Sequence, residues 1–108
     1  MNDYQANAER AIEYLAQSEE EWAQYKALLK FQSERHKACL ARLMQDSLEI
    51  TEAGRKRDAE AHSAFEEILD ESTEIAERFY LLDAKRQREE YQIELFRSVN
   101  SAQKRGNI

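Results

Sequence analysis

Residues 51–105, TEAGRKRDAEAHSAFEEILDESTEIAERFYLLDAKRQREEYQIELFRSVNSAQKR, decide the fold. The stretch holds no proline, and its one glycine, Gly54, falls in the first turn. Phe65, Ile68, Ile75, Phe79, Leu82, Ile93 and Phe96 keep a helical spacing. As one helix the stretch would run roughly 80 Å at about 1.5 Å per residue. That is too long for the interior of a 108-residue globule. It therefore reads as the spine of a hairpin or of an oligomer.

The whole chain shares this character. Proline is absent, glycine occurs twice and 35% of residues are charged. Proline and glycine punctuate turns and strands, so a chain nearly without them is expected to be helical almost throughout. The 42% apolar and 9% aromatic content lies above the disordered range. No apolar run is long enough to span a bilayer. The N-terminus, Met-Asn-Asp-Tyr-Gln, lacks the basic region and apolar core of a secretory signal. Cys39, the sole cysteine, fits a reducing cytoplasm. The net charge of −6 argues against indiscriminate nucleic-acid binding, but the charge is uneven. Residues 58–77 carry eight acids and no lysine or arginine, whereas residues 78–108 carry seven bases and four acids.

The length fits a single helical domain over residues 1–108, with helices expected at about 3–17, 18–46 and 51–104. Asn2 or Asp3 can cap the first, whose apolar face is Ala8, Ala11, Ile12 and Leu15. Ser18-Glu-Glu-Glu21 has the capping-box pattern and predicts a new start, with a break near Gln17; a helix running through is the alternative. Trp22, Tyr25, Leu28, Leu29, Gln32, His36, Cys39, Leu40, Leu43 and Met44 carry the second stripe. Thr51 reads as the cap of the third helix, and Gly106 as its left-handed end. A hairpin turn centred near residue 49 sets Leu29 against Leu69, Tyr25 against Ser72 or Thr73, Trp22 against Ile75 or Ala76, and His36 against His62. The first helix folds back to bring Ile12 and Leu15 near Leu82 and Arg86. The expected fold is all-α: a long antiparallel, coiled-coil-like helical hairpin with a short N-terminal helix, assembling into an oligomeric bundle.

Oligomerisation is expected because the distal spine is apolar on more than one side. Leu81, Ala84, Tyr91 and Leu95 form a second line beside Ile93, Phe96 and Val99, and one short helix cannot cover both. The simplest assembly is an antiparallel dimer.

No cofactor is expected. His36, Cys39, Asp58 and His62 are acceptable zinc ligands that the hairpin register would bring together, but no paired metal motif accompanies them, and ordinary polar histidines are the plainer expectation. Glycine is too scarce for a phosphate-binding loop, and the dense carboxylates read as a solvated face, so no catalytic residue is assigned. Arg35, Lys37, Arg42, Arg55, Lys56 and Arg57 gather at the hairpin tip, and Arg88, Arg97, Lys104 and Arg105 lie along the distal spine with Lys85 and Arg86. Either group is a candidate for contacting nucleic-acid phosphates; the plainer role is solubility. Asn107 and Ile108 can serve as a docking tail or as a simple helix stop.

The ending carries a resemblance. Ile93-Glu-Leu-Phe96-Arg-Ser98 followed by Arg105-Gly-Asn-Ile108, with the Thr51 start and alanines at 59 and 61, resembles small helical proteins of phages and prophages, over about the last 60 residues. Phe96 stands where a tryptophan would be more familiar. Such proteins are encoded in early regions beside single-strand annealing recombinases. The resemblance implies an accessory role in DNA recombination in a bacterial cytoplasm and supplies no catalytic residue. The expected function is helical protein–protein interaction, with a nucleic-acid-binding module as the alternative.

Overall fold

The computed structural model describes residues 3–106. It comprises α1 (Asp3–Lys30), α2 (Gln32–Asp46), α3 (Glu52–Glu60) and α4 (Ser63–Lys104), with no strand among the described residues. The all-α hairpin expected from the sequence is what the chain forms. Asp3 stands in the first turn of α1, while Asn2, the other candidate cap, lies outside the described residues. No helix among the described residues is long and apolar enough to cross a membrane.

The helices end where local chemistry supplies partners. The Thr51 hydroxyl accepts the Gly54 amide at 3.0 Å and caps α3. Before it, the Glu49 amide donates to Ser47 Oγ and Arg55 Nε donates to the Glu49 carbonyl at 2.9 Å, which holds the α2–α3 loop in one shape. At the other end Gly106 adopts φ 74°, the left-handed conformation glycine accepts at no steric cost.

Three helix bounds differ from those expected. The break near Gln17 does not occur: α1 is continuous, and Ser18 does not cap it. The buried Ser18 hydroxyl donates back to the Tyr14 carbonyl at 2.8 Å, a bond made inside a helix. The reason lies in the spacing. Ala8, Ala11, Leu15, Ser18, Trp22, Tyr25 and Leu29 follow alternating steps of three and four without a slip, and all are buried or half-buried. The chain is interrupted instead at Phe31 (φ −102°, ψ 12°), which lies outside that line and is exposed. The spine, in turn, is not one helix from 51 to 104. It turns at Ala61 and His62, where His62 Nδ1 accepts the Ala64 amide at 3.0 Å and its carbonyl accepts the amides of Phe65 and Glu66.

Contacts gather into two compact units, Met1–Gln24 with Phe79–Ile108, and Tyr25–Arg78. In the first, α1 and α4 run antiparallel. Arg86 Nη1 donates to the Leu15 carbonyl at 2.8 Å and to Ser18 Oγ at 2.6 Å, and its guanidinium lies 5.1 Å from the Trp22 ring centre. Trp22 stacks on Phe79 at 6.2 Å and donates from Nε1 to Asp83 at 2.9 Å. Leu15 thus reaches Arg86 as expected, whereas Ile12 is exposed. In the second unit, α3 packs on α2, and α2 runs antiparallel to α4. Gln32 Nε2 donates to the Ser72 carbonyl at 2.8 Å, and His36 Nε2 meets Ser72 Oγ at 2.7 Å.

These pairs correct the expected register. Trp22 faces Phe79 and Asp83 in place of Ile75 or Ala76, Ser72 serves Gln32 and His36 in place of Tyr25, and His36 faces Phe65 in place of His62. A single turn at residue 49 was the wrong pivot. Because α3 forms its own helix on α2, the return strand of the hairpin begins only at Ser63, and every partner on α4 moves by one to two helical turns.

The buried apolar residues are mostly small: Ala8, Ala11, Cys39 and Ala59, with Ile75 and Phe79 the larger ones. Among the described residues no large side chain is fully buried. Small residues allow close helix approach but remove little apolar surface from water, so caps carry a larger share of stability here. Thr51→Ala is expected to lower unfolding stability by about 1 kcal/mol in urea titration; an unchanged midpoint would mean the loop holds without its cap.

Candidate functional site

The outward side of α4 carries the most distinctive surface of the first unit. Its inward line, Phe79, Leu82, Arg86, Glu89, Ile93 and Phe96, is buried or half-buried. At about 100° per residue, Leu81, Ala84, Arg88, Tyr91 and Leu95 centre about 150° away around the helix. Leu81 is 74% exposed and Tyr91 62%, with Ala84 and Arg88 also exposed. Leu81, Ala84, Gln87, Arg88, Tyr91 and Gln92 line a shallow groove of about 660 Å³, with Ala84 its smallest residue. Arg88 is the one charged residue of that lining.

The residues expected to bind another copy therefore separate into two groups. Leu81, Ala84 and Tyr91 stand open. Ile93 and Phe96 belong to the inward line, and they are half-buried together with Leu95 and Val99. The N-terminal part of α1 lies along this stretch of α4, where Asn7, Arg10 and Tyr14 line a groove with Lys85, Glu89 and Gln92.

The candidate metal residues are not brought together. His36 is engaged by Ser72 and edges onto Phe65, with ring centres 6.4 Å apart. Cys39 is buried, Asp58 is exposed on α3, and His62 serves the turn before α4. No group of three or more metal-ligating side chains assembles among the described residues. In the observed register His36 engages Phe65 and Ser72, and the His62 ring nitrogen is used in the turn before α4.

The basic residues are only partly gathered. Arg35 leaves the tip: its Nη2 bonds Glu71 on α4 at 3.4 Å, and its Nη1 is buried without a hydrogen-bond partner among the described residues. Arg55 is directed to the Glu49 carbonyl, and Arg97 pairs with Glu94 at 3.1 Å. Arg57 lines a small groove with Glu49, Gly54 and Asp58, so the tip mixes both signs of charge. Lys37, Arg42, Lys56, Lys104 and Arg105 are exposed. The proposed docking tail at Asn107 and Ile108 lies outside the described residues.

One feature escaped the sequence reading. Leu48 and Ile50, in the loop between α2 and α3, are 99% and 94% exposed. Their signal was two aliphatic residues in a segment outside any helical spacing.

Comparison of the chain with protein-family models, with curated proteins and with solved structures finds no match. The geometry must then speak for itself. With His36 held on Ser72 and His62 exposed in its turn, equimolar zinc is expected to leave the thermal melting midpoint unshifted. A rise of several degrees would show that the histidines do come together.

Proposed function

We propose that this chain is a non-catalytic helical interaction protein that docks another helix on the outward stripe of α4. The observation that carries the reading is the exposure of Leu81 and Tyr91 on a groove they share with Ala84. Large apolar side chains clustered in this way mark interaction sites, whereas scattered single ones need no explanation. Tyrosine and leucine flanking a small residue also supply the ridge and notch that helix packing uses. In this reading the assembly is coiled-coil-like, with the outward stripe as its seam. The groove offers no acid–base pair, only Arg88 among polar amides, which supports binding over chemistry.

Nucleic-acid binding ranks second, because Arg35, Arg55 and Arg97 are already directed to protein acceptors. On the resemblance of the C-terminal stretch alone, we extend the reading to an accessory role in phage or prophage DNA recombination, in the cytoplasm of a bacterial host.

A photoreactive benzoylphenylalanine at Tyr91 tests the surface directly. Irradiation of cells producing the full chain is expected to give adducts heavier than the chain alone, while the same probe at exposed Glu20 on α1 gives none. Absence of adducts from Tyr91 would remove the docking reading.

A further inference from the structure

The outward stripe has an internal symmetry. Leu81 and Leu95 stand seven residues on either side of Arg88, and Ala84 and Tyr91 stand four and three. Laid antiparallel on itself with Arg88 at the centre, the stripe sets each Leu81 against Leu95 of the other copy. It also sets each Ala84 against the other Tyr91. Ala84 is the smallest residue lining the groove it shares with Leu81 and Tyr91, and Tyr91, 62% exposed, is the large ring that would pack against it. One surface thus carries both the hole and the knob. An interface with two-fold symmetry requires this, because each residue contacts a different residue twice over.

We infer that the partner on this stripe is a second copy of the chain, packed antiparallel about a two-fold axis at Arg88. The inference rests on the docking reading above and names its partner. A parallel pair fits poorly: Ala84 would face Ala84 and leave a void, and Tyr91 would face Tyr91 and crowd. In the antiparallel pair the sizes alternate, large into small, at both ends of the stripe. The two Arg88 side chains meet at the centre. Their aliphatic stems lie along the apolar floor, and each guanidinium reaches the Tyr91 ring of the other copy, where a cation is favourably held over the aromatic face. A polar residue at one seam position fixes register at some cost in affinity. Arg88 has that role here.

Cysteine pairing in the full chain tests both partner and direction. Ala84→Cys and Tyr91→Cys proteins, mixed and treated with a short bismaleimide, are expected to link to each other. Each alone is expected not to link to itself, since like positions lie about 9 Å apart for Tyr91 and about 12 Å apart for Ala84 along the axis at about 1.5 Å per residue, against about 1.5 Å for the mixed pair. The wild-type chain, with its buried Cys39, is the control. Light scattering should give twice the chain mass, and Tyr91→Ala should weaken association at least about tenfold. Self-linking by each single variant would overturn the antiparallel register. A monomer at tens of micromolar, or Tyr91 photo-adducts to a different protein only, would overturn the second copy while leaving the docking surface in place.

Discussion

The guanidinium of Arg86 sits where the inward line of α4 would otherwise place an apolar side chain. A charge at such a position is tolerated only with partners that replace water. It finds the Leu15 carbonyl, the Ser18 hydroxyl and the face of Trp22, all on α1. A slip of one turn would remove those partners together and leave the cation half-buried without a bond. The joint therefore fixes the register of α1 on α4. It also explains why Ser18 stays inside a continuous helix: its hydroxyl already donates to Tyr14 and accepts from Arg86. The second unit uses the same device, with Gln32 and His36 of α2 both addressed to Ser72 of α4.

Polar joints between small residues specify a register well but bury little apolar area. At about 0.8 kcal/mol for each buried methylene, a core of alanines, serines and one cysteine, with Ile75 and Phe79 as its larger members, gains less than a core of leucines. The larger apolar groups are consequently distributed outward, as Leu81 and Tyr91 on α4 and Leu48 and Ile50 in the loop. The interior and the outer stripe are thus two consequences of one economy of side chains. Close helix approach uses the small residues, and several large apolar residues, Leu81 and Tyr91 among them, face outward.

Much of this was legible in the sequence. Helical content followed from the scarcity of proline and glycine, and the Thr51 cap and the Gly106 end follow from local backbone hydrogen bonding. The outer line through Leu81, Ala84 and Tyr91 was visible as a second period on the spine. The breaks were not. Ser18-Glu-Glu-Glu21 and Ser63-Ala-Phe-Glu66 share the same capping-box spacing, yet α4 begins at Ser63 while α1 passes through Ser18. Ser63 is exposed after the turn at Ala61 and His62, whereas Ser18 is buried on the seam.

What the sequence determined alone were the properties set by neighbours within a few residues: helix, cap, end, and which side chains share a face. Tertiary structure decided where the helices break, which α4 residue each α1 or α2 residue meets, and therefore which apolar line was left outward. The physical reason is range. Periodicity and capping are fixed within a turn of helix, but the choice at Ser18 depends on Arg86, 68 residues away along the chain. With that bond made, α1 runs unbroken through Ser18 to Lys30. Leu81, Ala84, Arg88 and Tyr91 of the outward stripe stay exposed among the described residues.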